Sequence, residues 1–200
     1  MAVQSSQPDA GGNTGERVVF SPSSGFLTVE LTADHDLQNF VCTRDPDAVK
    51  YLQVSVWDHV RKRCGLAYAY LAPGSTTQIL GYYHLVGSCL QRAVFQNADG
   101  KKIPKDGPVS VFHLAYIARD DRASPGVGAA LVVDAARRAR TLFPTWGMSL
   151  HANNAKLVTF YEGLGFKIMR SLKQERESAN GLITEGPFLM YAPYPAIIID

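Results

Sequence analysis

The chain has 200 residues, of which 46% are hydrophobic and 19% charged, and its formal net charge is +2. That length suits one domain with a substantial core, and the composition is globular rather than fibrous or low-complexity. So small a charge excludes nucleic-acid binding by bulk charge alone. Basic residues do cluster locally, as Arg61-Lys62-Arg63, Lys101-Lys102-Lys105 and Arg137-Arg138-Arg140, which suits either solvated faces or contacts to phosphate. The three cysteines, Cys42, Cys64 and Cys89, are odd in number and widely spaced. No CxxC and no histidine pair at metal-ligand spacing accompanies them, so neither a metal site nor a disulfide framework is indicated, and they are expected to be small buried hydrophobes. No apolar run reaches about 18 residues and no charged-then-apolar leader opens the chain, so a cytoplasmic protein with no membrane contact is expected.

Residues 1–24 begin with the polar, aperiodic stretch "MAVQSSQPDAGGNTG" and are expected to be disordered, leaving one domain over 25–200. In "GFLTVELT" the alternation of Phe26, Leu27, Val29 and Leu31 predicts a first strand. Asp45 followed by Pro46 is a helix-start signal, and Val49, Leu52, Val56 and Val60 then form one apolar stripe. "LAYAYLAP" and "QILGYYHLVGSCL", separated by "PGST", predict a hairpin, and "NADGKKIPKDGP" a loop. The nearly continuous apolar run over 109–118, "VSVFHLAYIA", predicts a central strand buried on both faces.

The next segment, "RASPGVGAALVVDAARRAR", is a glycine turn running into an amphipathic helix. Leu131, Val132, Ala135, Ala139 and Leu142 line its buried side, Asp134, Arg137, Arg138 and Thr141 its outer side, and Pro144 stops it. Ser124 suits the N-cap and Pro125 the first helical position. Gly126 and Gly128 then fall in the first turn, where each costs the helix about 0.5–1 kcal/mol relative to alanine. Two explanations remain open: close packing against a strand, or close approach of an anion to free amides at a helix start. "GMSLHA" predicts a strand, "NAKLVTFYEGLG" a short helix ended by Gly165, and "FKIMRS" and "PFLMYAPYPAIII" further strands. Interleaved strands and helices make a mixed α/β domain.

The ordered series of apolar strand, glycine turn, helix, strand, "N…FYEGLGF" and strand resembles the GNAT superfamily of N-acetyltransferases. Its pyrophosphate-binding pattern, R/Q-x-x-G-x-G/A, falls on Ala123, Ser124, Pro125, Gly126, Val127 and Gly128. A second hallmark, N-x(6)-Y before an aromatic-capped glycine turn, falls on Asn154, Tyr161 and "GLGF". Upstream, "ADHDLQNFVCTRDPDAVKYLQ" and "ILGYYHLVGSCL", with the ending "LMYAPYPAIII", look like the GNAT toxins of bacterial toxin–antitoxin pairs. The pattern is departed from at Ala123, where Arg or Gln is usual with Arg122 one place early, at Ser124, at Pro125, and at Ala115, where the toxins often carry arginine.

The resemblance implies a GNAT fold, a central, mostly antiparallel twisted sheet flanked by helices, and transfer of acetyl from acetyl-CoA to a primary amine. It implies cofactor contacts along Tyr116, Ile117 and Ala118 and along Arg122, Ala123, Ser124, Gly126, Val127, Gly128 and Ala129. A backbone N–H near Tyr116 or Ile117 would polarise the thioester carbonyl. Tyr161 becomes the candidate acid for the leaving sulfur, against the alternative of a core aromatic beside Phe160 and Phe166. Asn154 becomes a holder of the pantetheine arm, or a helix cap. A base is less defined: His84, His113 and His151 all lie on or near predicted strands, and an α-amino acceptor needs none.

In the toxin branch the acceptor is aminoacyl-tRNA, toward which Arg61, Arg63, Arg137 and Arg138 would add salt-dependent attraction. Its partners there are a ribbon-helix-helix antitoxin and a second copy of the chain. Within the same fold, a small-molecule amine or a protein N-terminus is an alternative acceptor. A non-catalytic acetyl-CoA-binding module is an alternative from another class.

Overall fold

The computed structural model describes residues 26–95, 97–103, 105–169 and 185–197, so the disorder expected over 1–24 lies outside the described residues. Strand β1 (Thr28–Glu30) leads to a continuous helical run of α1 (Pro46–Lys50), a π-helical stretch Tyr51–Ser55 and α2 (Val56–Arg61). The β2 (Leu66–Leu71) and β3 (Ile79–Leu90) strands form the expected hairpin, followed by α3 (Asn97–Gly100) and β4 (Val109–Arg119). Next come α4 (Val127–Leu142), β5 (Gly147–Asn154), α5 (Ala155–Gly163), β6 (Lys167–Ile168), β7 (Glu185–Pro193) and a last helical turn, Tyr194–Ile197. Seven strands form one sheet in the order β1-β2-β3-β4-β5-β7-β6, antiparallel except where β4 runs parallel to β5. Among the described residues no helix is long and apolar enough to cross a membrane.

Alternation along the strands gives the sheet two covered faces. Tyr83, Leu85, Leu114, Met148 and Leu150 pack with Leu131, Val132, Ala135 and Ala139 of α4 and with Val158 and Tyr161 of α5. On the other face, Ala67, Ala69, Tyr82 and Ala118 pack with Ala48, Tyr51, Leu52 and Val56 of the α1–α2 run. A third cluster, with Phe95, Ile103, Val109, Val111 and Tyr191, shows that the expected loop over 97–108 is partly helical and partly core. Asp45 caps α1 as its position suggested, its carboxylate accepting from the Ala48 amide at 2.9 Å.

Four expectations need correction. On β1 it is Thr28 that turns inward, at 2% exposure, while Leu27 and Val29 are exposed. The reason lies across the fold: Thr28 Oγ1 and the Tyr83 hydroxyl both donate to Asp134 Oδ2, at 2.5 and 2.6 Å. Asp134 and Arg138 are therefore not a solvated face. Arg138 pairs with Asp134 at 3.2 Å, donates to the Thr28 carbonyl, and sits 4.4 Å over the Tyr68 ring. Leu142, at the helix end, is exposed rather than buried. Of the cysteines only Cys42 is buried; Cys64 and Cys89 are exposed.

This polar cluster pins the edge strand to the helix. Replacing Asp134 by alanine leaves the Tyr83 hydroxyl and the Arg138 guanidinium only their contacts to Thr28, and is expected to lower unfolding free energy by about 1–3 kcal/mol, read as a fall in the urea midpoint.

Candidate active site

The site begins with a break in pairing. β4 and β5 pair only from Val111↔Gly147 to Leu114↔Leu150. Beyond that point β4 continues alongside β3 to Arg119↔Gly81, and β5 continues alongside β7 to Asn154↔Glu185. The two central strands therefore part, and among the described residues the β5-facing peptide groups of β4 past Leu114 have no strand partner. Opposite β3, Leu114 pairs with Leu85 and Tyr116 with His84, so Ala115 is one extra residue, a β-bulge. A bulge at that point re-aims the strand and leaves main-chain groups free for something other than a neighbouring strand. Tyr116, Ile117 and Ala118 follow it directly.

At the C-terminal end of β4 the chain enters the glycine turn. The helix starts later than Ser124 and Pro125 suggested: Gly126 is the N-cap, with φ +91°, and α4 begins at Val127. A residue with a β-carbon is disfavoured in that left-handed region, so Gly126 is needed for the turn itself. The Val127 amide makes a long contact to the Ser124 carbonyl at 3.4 Å, and the Ala130 amide bonds the Gly126 carbonyl. The amides of Gly128 and Ala129 have no such partner and point out of the helix start, as the first turn of any helix leaves them. Gly128 is less crowded than the packing alternative required, since the nearest atom to an added β-carbon is a Phe160 ring carbon at 4.0 Å.

The turn is held from beneath. Asp120 is buried, and its carboxylate accepts from the amides of Val41 and Arg122 and from the Arg122 guanidinium, at 2.7–2.9 Å. Burial alone would raise its pKa, but these donors outweigh it and hold the carboxyl below the usual range. Arg122 also reaches the Asn39 carbonyl at 2.8 Å. Arg119 braces the other side, one Nη donating to the carbonyls of Ala123 and Ser124 at 2.6 and 3.4 Å. Sequence reasoning did not single out Arg119 or Asp120, because neither belongs to the glycine pattern.

Across the opening, Asn154 Oδ1 caps α5 through the Leu157 amide at 3.0 Å, which is the helix-cap alternative. Gly165, at φ +92°, ends the helix, with the amides of Leu164 and Phe166 both on the Tyr161 carbonyl. Between these caps Tyr161 is 5% exposed, its ring against Phe160 and Phe166. Its hydroxyl makes no hydrogen bond to a described residue. Burial, and then the Asp45 carboxylate, push that phenol up to about 12.

Neither a protein-family model nor a curated protein matches the sequence. Solved structures do match. AtaT complexed with acetyl-methionyl-tRNAfMet is 27% identical, with a TM-score of 0.70 over 86% of this chain and 97% of that one. AtaTR bound with acetyl-CoA is 28% identical, with a TM-score of 0.65 over 86% of this chain and 95% of that one. A tyrosine-to-phenylalanine mutant of KacT, at 22% identity and a TM-score of 0.69 over 86% and 96% of the two chains, carries the fold alone. This chain has the GNAT fold.

Within the GNAT cleft the expected residues divide. Tyr116, Ile117, Ala118, Gly126, Val127, Gly128 and Ala129 border the parted strands or the helix start, and Tyr161 lies on the neighbouring α5. Three others do different work. Arg122 is committed to Asp120, Ala123 is a core residue at 5% exposure, and Ser124 is exposed with its carbonyl held by Arg119. The basic residues do not form one patch: Arg61 ends α2 and Arg63 follows it on one face, Arg137 is exposed on α4 across the sheet, and Arg138 is taken up by Asp134.

The three strand histidines also separate. His84 is 2% exposed and His113 half-buried, and burial holds both down at about 4, whereas His151 is exposed. A depressed histidine stabilises the fold above its unfolded pKa of about 6.5, and that contribution is lost as pH falls toward the folded value. Unfolding free energy is therefore expected to drop between pH 6.5 and 4 by about 2–3 kcal/mol for His84 alone. A urea series across that range checks it, and His84→Gln should flatten the slope.

Proposed function

We propose that this chain is an acetyl-CoA-dependent N-acetyltransferase with the α-amino group of an aminoacyl-tRNA as acceptor. The single observation behind the reaction is the opening between β4 and β5, flanked by free helix-start amides on one side and by Tyr161 on the other. The acceptor rests on AtaT, solved with acetyl-methionyl-tRNAfMet. The same relatives support a toxin role: AtaT has been solved bound to acetyl-CoA and the C-terminus of the antitoxin AtaR. On that ground the chain, from about residue 25 to 200, is the toxin of a cytoplasmic pair, silenced by a ribbon-helix-helix antitoxin and acting as a homodimer.

The residues fit the cofactor. The glycine turn admits a diphosphate close to the backbone, and the amides of Gly128 and Ala129 supply donors where the helix dipole also favours negative charge. Acetyl-CoA supplies the acetyl group as a thioester. Amides of β4 just past the bulge would serve as donors to the thioester carbonyl oxygen. As the new C–N bond formed and the C–S bond broke, the Tyr161 hydroxyl would donate a hydrogen bond to the departing sulfur, and the proton given up by the amine would leave with the coenzyme A thiol or to water. An α-amino group has a pKa of about 7.7–8.0 and is partly neutral at physiological pH, so no dedicated base is required.

Two measurements test this together. Calorimetry should show one acetyl-CoA site per chain, and free thiol should be released when aminoacyl-tRNA is added. Binding without thiol release from aminoacyl-tRNA, from small amines or from peptides would favour the non-catalytic module. Release with small amines or peptides alone would replace the acceptor.

A further inference from the structure

The two faces of the sheet present different aromatic groups to the cleft. Tyr161 belongs to the α4–α5 face of the sheet. Tyr116, the first residue past the β4 bulge, has its ring on the opposite face, stacked on Tyr51 of the π-helical stretch with centroids 3.6 Å apart and planes within 5°. A cofactor seated at the start of α4 occupies the first face, so an attacking group approaches from the second, where Tyr116 stands.

Tyr116 is 36% exposed, and among the described residues Tyr51 is the one ring stacked on it. What distinguishes it from an ordinary exposed tyrosine is how firmly its backing is held. The wider π turn, closed by the Val56 amide on the Tyr51 carbonyl, places Tyr51 over β3 and β4. There its hydroxyl lies between two histidines, 2.9 Å from His59 Nδ1 and 2.9 Å from His84 Nδ1.

His84 fixes the direction of these bonds. Its Nε2 is buried without a partner among the described residues, closed off by Gly65, where an added β-carbon would come within 2.3 Å. An orphaned buried donor is costlier than a bare lone pair, so the neutral ring keeps its proton on Nδ1. His84 then donates to the Tyr51 oxygen, and Tyr51 donates to His59. Two directed bonds lock the ring that Tyr116 lies on.

We infer that Tyr116, backed by Tyr51, is a stacking shelf for a planar π group of the acceptor. That group is the terminal nucleobase of an aminoacylated RNA or an aromatic aminoacyl side chain, and stacking it sets the amine at the acetyl carbonyl. Tyr116 is the contact and Tyr51 its positioning residue. This rests on the acetyltransferase reading.

Steady-state kinetics with total aminoacylated tRNA test it, alongside calorimetry with acetyl-CoA. Tyr116→Leu is expected to raise KM for the tRNA about tenfold, the scale of one lost base–aromatic stack, while acetyl-CoA affinity, which would involve this residue through its main chain only, stays within about twofold. Tyr116→Phe and Tyr116→Trp keep a ring and are expected to hold KM near wild type, whereas Tyr51→Phe loosens the shelf and gives an intermediate value. In Tyr116→Trp, fluorescence quenching beyond that of wild type on adding adenosine monophosphate identifies a nucleobase. Quenching by phenylalanine methyl ester instead identifies a side chain. An unchanged KM in Tyr116→Leu, or no extra quenching by either probe, overturns the shelf. Failure of the wild-type protein to bind acetyl-CoA or to transfer acetyl overturns the acetyltransferase reading instead.

Discussion

Replacing Tyr161 by phenylalanine is expected to lower kcat about 10²–10³-fold while leaving acetyl-CoA affinity within about twofold. The two halves of that result have separate causes. The ring stays packed between Phe160 and Phe166, and the hydroxyl has no hydrogen bond to a described residue, so deleting it orphans nothing and the fold should hold. What is lost is a donor aimed at the departing sulfur. With its phenol held near 12, Tyr161 keeps its proton throughout the physiological range, yet it is a weak acid toward a thiolate whose own pKa is about 8.5. It therefore acts by donating a hydrogen bond that strengthens as the C–S bond lengthens, which places the effect in the lower part of the general-acid range of about 10²–10⁴. Thiol release and calorimetry on the same preparation check both halves. An undiminished kcat would remove the acid role, and a lost cofactor affinity would make Tyr161 a binding residue instead.

The order of elements from β4 to β6 was legible because local signals there agree with the global fold: an unbroken apolar run, a glycine turn, an Asn154 cap and a Gly165 stop. The candidate site was legible to the same extent, since Gly126 to Ala129 and Tyr161 are carried by short motifs. What could not be read were features made by pairing over distance. Thr28 faces inward because Asp134 waits 106 residues later, an interaction that reverses the alternation of its apolar neighbours. Ala115 looks like any strand alanine, and only its lack of a partner on β3 makes it the bulge. Tyr51 and His84 are 33 residues apart, and their contact depends on a π turn that no 3.6-residue stripe anticipates. Nor did position near the motif reveal that Arg122, expected among the cofactor contacts, also pairs with a buried carboxylate two residues before it.

That carboxylate carries the other large effect. Replacing Asp120 by alanine is expected to cost about 2–3 kcal/mol of unfolding free energy, the scale of a charged hydrogen bond lost together with a buried donor left unpaired. The change leaves the Val41 amide without the acceptor that the enclosed Asp120 carboxylate provides, and leaves the half-exposed Arg122 guanidinium only the Asn39 carbonyl and water. It also frees the segment that Arg122 ties down at Asn39, and loosens the chain that the Asp121 amide holds at the Val41 carbonyl. These contacts join the helix-1 approach to the glycine turn, so acetyl-CoA binding should weaken by at least about tenfold even where enough folded protein remains to measure it. Asp121 is the control: its carboxylate takes the Thr43 amide at 3.0 Å from the surface, and Asp121→Ala should shift the urea midpoint far less. Equal midpoints for the two variants would mean that Asp120 does not hold the turn, whereas a lower midpoint with unchanged cofactor affinity would separate stability from the shape of the diphosphate site.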